Sequence, residues 1–143
     1  AIDEVETTVL KTILDNGYIP VISSIGVDEQ GNAYNINADT AAAKIAGALE
    51  AEAMIAMTNI DGVMEDKDDP STLLTNRTVE ETEALVDKGI IAGGMIPKVE
   101  CCTLAIKEGV RKVFIINGEI PHAILIELLT DEGLGTMFVK EHA

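Results

Sequence analysis

Lys98 is the side chain whose neighbours in the sequence point most directly to chemistry. It ends the motif GGMIPK at residues 93–98 and lies just inside the start of a predicted helix. Paired glycines let a ligand approach the backbone closely, and the free amides of a helix start favour negative charge. A lysine at such a place can meet a phosphate as a point charge. The same pattern also fits a flexible helix entry with an exposed lysine, and spacing alone leaves both interpretations open.

A second group of polar residues, Asn35, Asn37 and Asp39, occupies alternate positions of the motif YNINAD at residues 34–39. Alternate side chains of an extended segment point to one side, so Asn35 and Asn37 can face one ligand while Asp39 enters the following helix. An aspartate there can orient a lysine or hold a metal ion. The alternative is that these residues only cap the helix, which Asn and Asp do well.

The third candidate is the turn NIDGVM at residues 59–64, which directly follows the apolar run at residues 54–58. In α/β sheets, ligands collect at the carboxyl ends of strands, and this rule selects the segments after residues 22, 58 and 116. The Asp61-Gly62 pair also suits a tight turn without any ligand.

The sequence gives little support for catalysis or metal binding by its histidines and cysteines. Neither His122, near a predicted helix start, nor His142, in the C-terminal tail, has neighbours spaced as metal ligands, and no metal site is predicted. Cys101 and Cys102 are adjacent, which does not suit a disulfide, and are interpreted as small buried residues of the helix after Lys98. No pattern typical of a Ser/His/Asp or Cys/His centre occurs.

The composition excludes several classes of partner. The 25 acidic residues outnumber the 10 basic ones, giving a formal charge of −15, so the average surface repels nucleic acid and anionic membranes. Aromatic residues make up 3% of the chain, which leaves few rings for stacking on bases. No apolar run reaches the length of a membrane span, and the N-terminus is acidic where a signal peptide is basic. We expect a cytoplasmic protein.

Helices and strands alternate along the chain, which favours an α/β fold. The expected architecture is a single domain over residues 1–143, a three-layer α/β/α sandwich around a mainly parallel sheet. Hydrophobic spacing and turn residues predict helices at 2–16, 40–49, 78–87, 94–108 and 122–129. They predict strands at 18–22, 54–58, 112–116 and 136–139, a hairpin joining 25–27 to 33–35, and a loop at 66–76.

Four motifs in this order resemble the acetylglutamate kinases of the amino acid kinase family: YNINAD (34–39), TNIDGV (58–63), GGMIPKVE (93–100) and LTDEGLGT (129–136). The resemblance covers essentially the whole chain. It implies an amino acid kinase-like fold and phosphorylation of the side-chain carboxylate of N-acetyl-L-glutamate by ATP with Mg²⁺, in arginine biosynthesis.

The resemblance also assigns roles to individual residues. Lys98 is similar to the lysine that neutralises the transferring phosphoryl group, Asp39 to the aspartate that organises the active-site lysines, and Asn35 to the asparagine that holds acetylglutamate. Phosphoryl transfer needs positioning and charge neutralisation more than covalent catalysis, which suits these residues. The implied nucleotide-binding residues are Asn59, Ile60, Asp61, Gly62, Val63, Met64, Ile90, Ile91, Ala92 and Gly94.

Near the C-terminus, Glu127 and Gly133 resemble the region that binds feedback arginine in arginine-sensitive members. That site also uses an N-terminal helix that residues 1–143 do not contain. Members of the family form homo-oligomers through their N-terminal halves, so the resemblance implies an oligomeric parent protein but gives no assembly for this chain.

Two departures from the family qualify the resemblance. Members begin with a strand and a glycine-rich loop that carries another phosphate-binding lysine, and their N-terminal half builds most of the acetylglutamate pocket. We therefore expect residues 1–143 to correspond to the C-terminal, nucleotide-binding half, with little or no turnover alone. Asn59 stands where an aspartate is common. The alternatives are a kinase of acetylaminoadipate, or of its carrier-linked form, in lysine biosynthesis, and a non-catalytic module that binds nucleotide, arginine or a partner.

Overall fold

The computed structural model describes residues 2–131 and 133–141, which leaves His142 outside the described part. The helices are α1 (Thr8–Asp15), α2 (Ala38–Ala48), α3 (Val79–Asp87), α4 (Met95–Lys107) and α5 (Ala123–Leu129). The strands are β1 (Ile25–Val27), β2 (Ala33–Asn35), β3 (Ala53–Thr58), β4 (Asn76–Thr78), β5 (Lys112–Asn117) and β6 (Thr136–Val139).

The main sheet has four strands in the order β3-β5-β6-β4. Strand β3 runs parallel to β5 and β4 runs parallel to β6, whereas β5 and β6 are antiparallel. Two of the three pairings are therefore parallel, and the expected mainly parallel sheet is confirmed. The short strand β4 lies partly in the segment predicted as a loop, and that part of the prediction was wrong. A three-residue strand has too few side chains to show an alternating pattern.

Helices cover both faces of the sheet, which confirms the three-layer sandwich. On one face, α2, α3 and α4 pack on a large core cluster; its fully buried members include Ala43, Val99, Val113, Ile115 and Phe138. On the other face, α5 covers a smaller cluster around Phe114, Ile116 and Ala123. Helix α3 begins with a reciprocal cap, in which Thr78 and Glu81 each accept the other's backbone N–H.

The predicted strand at residues 18–22 is absent, and that prediction was wrong. Ile19 and Val21 are 90% and 96% exposed, and no described strand pairs with this segment. Strand formation requires hydrogen bonds from a neighbouring strand, so a β-prone sequence without a neighbour stays irregular. The first helix is also shorter than predicted, because it begins only at Thr8, whose N–H is bound by the Glu6 carboxylate.

The predicted hairpin is confirmed, with Ile25 opposite Asn35 and Val27 opposite Ala33. Asp28 organises its turn. One carboxylate oxygen accepts the amides of Gln30 and Asn32, and the other accepts the Asn32 side chain and the Tyr34 hydroxyl. These hydrogen bonds lower the pKa of Asp28, the Asn32 bonds most.

Within the described residues, no helix is both long enough and apolar enough to cross a membrane.

We predict that Gly135→Ala destabilises the fold. Gly135 is buried where β5 and β6 meet, and a Cβ there would overlap the carbonyl oxygen of Ile115, a backbone atom that cannot rotate away. The free energy of unfolding, measured by urea titration, should fall by about 3 kcal/mol. Gly94→Ala is the matched control, since nothing lies within 4 Å of its Cβ position, and should change stability by less than about 0.5 kcal/mol. Equal stability of the two variants would contradict this packing.

Candidate functional site

The first turn of α2 holds two of the predicted residues. Asn37 caps the helix, because its Oδ1 accepts the Thr40 backbone N–H at 3.0 Å, which confirms the capping interpretation for this residue. Asp39 follows inside the first turn and is half-buried. Asn35 ends β2 two residues before the cap and is exposed.

The first backbone N–H groups of α4 make only long hydrogen bonds within the chain. Gly93 has a φ of +60° and Gly94 is the N-cap, and nothing lies within 4 Å of the Cβ position of either. The N–H groups of Met95 and Ile96 reach carbonyl oxygens only at 3.4 and 3.3 Å. Such a helix start, with open space in front of it, favours an anion. Half-buried Lys98 lies one position beyond Pro97 in the first turn.

Helices α2 and α4 bring Asp39 and Lys98 into one neighbourhood. Thr40, next to Asp39, has its Oγ1 3.7 Å from the Sγ of Cys101, which lies one turn after Lys98. Both charges also act on the same thiol. Burial raises the pKa of Cys102 to about 12; the negative charge of Asp39 adds to this rise, and the positive charge of Lys98 opposes it. The structure thus joins two residues that are 59 positions apart in sequence.

The turn at residues 59–64 lies at the same edge of the sheet. Helices α2 and α4 each run back to the start of the next strand, so their N-termini lie at the carboxyl ends of β3 and β5. The turn leaves β3 at this edge, as the rule for α/β sheets predicts. Asn59 and Asp61 are exposed, and Ile60 and Met64 are half-buried.

The middle of this turn is hydrogen-bonded to buried residues of the core. The Val63 N–H donates to the buried Thr136 Oγ1 at 2.8 Å, and the Val63 carbonyl accepts the Leu74 N–H. Gly62 has a φ of +152°, and a Cβ there would lie 2.8 Å from the same Thr136 oxygen. The side chain of Val63 is 2% exposed. Val63 therefore fixes the shape of the turn, while its side chain belongs to the core.

The connection between α3 and α4 contributes a mixture of core and surface. Ile91 is 3% exposed and belongs to the large core cluster, whereas Ala92 and Gly94 are exposed beside the α4 start. Ile90 and Ile91 both donate their N–H groups to the Leu85 carbonyl. This fixes the entry of α4 relative to α3.

Glu127 and Gly133, the residues predicted for an arginine site, flank the turn between α5 and β6. Glu127 Oε2 accepts the backbone N–H groups of Leu134 and Gly135 at 2.6 and 3.2 Å. The carboxylate thereby ties the helix to the start of the strand. Gly133 is exposed, with a φ of +58° that favours glycine.

Asn117, Gly118 and Thr136 also lie at this edge, although none of them was predicted as a site residue. Asn117 and Gly118 follow the apolar residues of β5, a segment that the strand-end rule does select. Thr136 carries no comparable signal, because its role depends on a contact with a residue 73 positions away.

Two large cavities in the described part of the chain lie away from this edge. Across residues 2–131 and 133–141, no group of three or more His, Cys, Asp or Glu side chains is placed to hold a metal ion. A cavity of about 570 Å³ lies between residues 2–5 and the C-terminal ends of α2 and α4, and one of about 460 Å³ lies between α3 and α4. The candidate site is the open strand edge.

We predict a large difference in reactivity between the two thiols. The thiolate is the reactive form, and Cys102 is 1% exposed with a pKa near 12, whereas Cys101 is half-buried. At pH 8, Cys101→Ala, which leaves Cys102, should react with a disulfide reagent more than about 100-fold slower than Cys102→Ala. Equal rates in the folded chains would contradict the packing.

The raised pKa of Cys102 also makes the stability of the fold depend on pH. The contribution of the neutral Cys102 thiol to the free energy of unfolding is complete below about pH 9 and is lost as the pH rises towards 12.

Comparisons with known proteins agree with this arrangement. The sequence model of the amino acid kinase family matches residues 1–117. Acetylglutamate kinase of Methanococcus aeolicus is 50% identical over 140 residues, which are 98% of this chain and 48% of the relative. Acetylglutamate kinase of Brachyspira hyodysenteriae is 52% identical over 140 residues, 98% of this chain and 49% of that protein. The chain therefore spans about half the length of the curated relatives it matches.

Solved structures show the same fold. A crystal structure of N-acetylglutamate synthase from Neisseria gonorrhoeae, complexed with coenzyme A and L-arginine, superposes with a TM-score of 0.86 at 29% identity. The superposition covers 99% of this chain and 32% of the synthase chain. Together with the strand-edge geometry and the family model, which matches most of the sequence, these similarities establish that the chain belongs to the amino acid kinase family.

Proposed function

We propose that residues 1–143 form the C-terminal, nucleotide-binding domain of an acetylglutamate kinase. The parent activity would be ATP-dependent phosphorylation of the side-chain carboxylate of N-acetyl-L-glutamate in arginine biosynthesis. The observation that carries this proposal is that Asp39 and Lys98, at the neighbouring starts of α2 and α4, both lie close enough to Cys102 for their charges to act on its thiol. The names of relatives that are about 50% identical support it.

The chemistry of phosphoryl transfer fits the residues at this edge. The transferring group carries negative charge, and catalysis depends on placing positive charge and hydrogen-bond donors around it. Lys98 and the amides that begin α4 supply both, and Asp39 would orient the ammonium group. The chain has a formal charge of −15, so a local cation is needed for an anionic nucleotide to approach.

Mg²⁺ fits this site as a companion of the nucleotide. Proteins often hold Mg²⁺ through substrate phosphates and one or two carboxylates rather than in an all-protein cage. The described residues include no cage of three acidic side chains, while Asp39 lies at the start of α2, close to the α4 start. The ion would neutralise phosphate charge there, beside Lys98.

The acetylglutamate pocket would be completed by a second polypeptide segment. Asn35 is the residue of this chain proposed to hold acetylglutamate, and the chain has about half the length of its curated relatives. Residues 16–27 contain no charged side chain in a chain of 24% charged residues, yet Ile19 and Val21 are almost fully exposed. We place the contact with the complementary half on this uncharged segment.

Arginine is a proposed effector, because the structurally similar synthase was crystallised with L-arginine. Its guanidinium would meet Glu127, whose carboxylate is held in place by the amides of residues 134 and 135.

We predict that calorimetric titration detects MgADP binding to the chain, and that Lys98→Ala weakens ATP binding about tenfold while changing adenosine binding little. Only ATP presents phosphates to the ammonium group. Lys107→Ala is the control, since it removes the same charge from the far end of α4, where Lys107 pairs with Glu83. The nucleotide site is refuted if the folded chain binds no MgADP, and the role of Lys98 is refuted by equal losses for ATP and adenosine.

We predict that mixing the chain with the N-terminal half of an acetylglutamate kinase relative restores acetylglutamate phosphorylation, and that Val21→Asp abolishes the restoration. A buried aspartate without a partner is costly, whereas Val21 is exposed in the chain alone, so the melting temperature of the variant alone should stay unchanged. Val21→Thr, of similar shape and uncharged, should retain most of the activity. Full activity of Val21→Asp would exclude this contact surface, and nucleotide binding without any turnover in the mixture would favour the non-catalytic module.

A further inference from the structure

The segment that leaves β5 holds the candidate nucleotide turn at two points. The Gly118 N–H donates to the Thr58 carbonyl at 2.8 Å, where the turn begins. The Asn117 side chain reaches further and donates from Nδ2 to Asp61 Oδ1, also at 2.8 Å. These contacts link the carboxyl ends of β3 and β5, where Thr58 and Asn117 are register partners.

The Asn117 amide is itself fixed in orientation. Its Oδ1 accepts the Glu119 N–H at 2.9 Å, which leaves Nδ2 directed towards Asp61. At the next position, a Cβ on Gly118 would lie 3.2 Å from the end of the Met57 side chain, which is closer than ordinary van der Waals contact. Asn117 is half-buried, whereas Asp61 is exposed. A hydrogen bond from a fixed donor is therefore what holds an otherwise solvent-directed carboxylate.

The sign of the Asp61 charge limits which part of a nucleotide it can face. A carboxylate repels phosphate oxygens but accepts hydrogen bonds from ribose hydroxyls or an amino group. Lys98 and the α4 amides provide the favourable environment for phosphates. The edge is thereby divided into a cationic part for the triphosphate and an acceptor part for the nucleoside.

We propose that Asn117 is a positioning residue of the nucleotide site, which fixes the Asp61 carboxylate to receive the nucleoside moiety. This inference rests on the proposed nucleotide binding and extends it to a residue of β5. Asn117 acts through Asp61, since its amide is committed to Asp61 and to the turn at Glu119. Holding the carboxylate before the ligand arrives removes an ordering cost from binding.

The test is a double-mutant cycle in nucleotide affinity, with Asn117→Ala, Asp61→Ala and the double variant. We expect Asn117→Ala to weaken adenosine and ATP by the same factor, about threefold to tenfold, and to have almost no further effect in the Asp61→Ala chain. Loss of the Glu119 contact occurs in both backgrounds and cancels in the cycle. A merely structural role would lower the melting temperature without any coupling to Asp61.

The matched control is Asn32→Ala, which removes an Asn–Asp side-chain hydrogen bond of the same 2.8 Å length in the hairpin turn and should leave nucleotide affinity unchanged. Independent effects of the Asn117 and Asp61 substitutions would overturn the proposal, as would a larger loss for ATP than for adenosine. If the unmodified chain binds neither ligand, the proposed function fails and this inference fails with it. If the unmodified chain binds and Asn117→Ala binds equally well, the positioning role alone fails.

Discussion

The parallel pairing of β3 with β5 is the constraint on which the candidate site depends. It aligns Thr58 with Asn117, so the segments that follow both strands leave from one edge. Each strand is preceded by a helix that runs in the opposite direction, which brings the N-termini of α2 and α4 to that edge as well. The start of α2, the turn at residues 59–64 and the start of α4 with its Lys98 therefore lie at one edge, although these three segments are far apart in the sequence. A shift in register would separate the turn from Asn117 and disturb every contact at this edge.

Charge and burial act together at this edge. The chain is strongly acidic, so an anionic ligand gains nothing from the average field and must rely on local donors. The α4 start provides backbone amides at a point where two glycines leave space, and Lys98 adds a full positive charge one turn from Cys101. Asp39 lies close enough that both charges act on the buried Cys102 thiol. The proposed phosphate site is therefore a small region of favourable charge on a chain that is acidic on average.

Local patterns predicted the parts of the fold that depend on local interactions. The capped start of α2, the glycine-led start of α4 and the apolar runs of β3 and β5 were predicted within a few residues, because caps, helix periodicity and burial are encoded nearby. Residues 18–22 were wrongly predicted as a strand, since β propensity gives no information about whether a neighbouring strand exists. The Thr136–Val63 and Asn117–Asp61 contacts span 73 and 56 positions, and only the folded sheet brings such pairs together.

The two faces of the sheet differ in how completely they are covered by the helices of this chain. The face under α2, α3 and α4 has a large continuous core with fully buried Val113, Ile115 and Phe138, and it supports the helix starts and the turn. The opposite face has a small cluster under α5, and Met57 of β3 remains 52% exposed there. Most of the uncharged residues 16–27 are also exposed. The proposed nucleotide edge is therefore built on the better packed face and can keep its geometry in this chain, whereas the proposed acetylglutamate site would depend on surfaces that the chain leaves open.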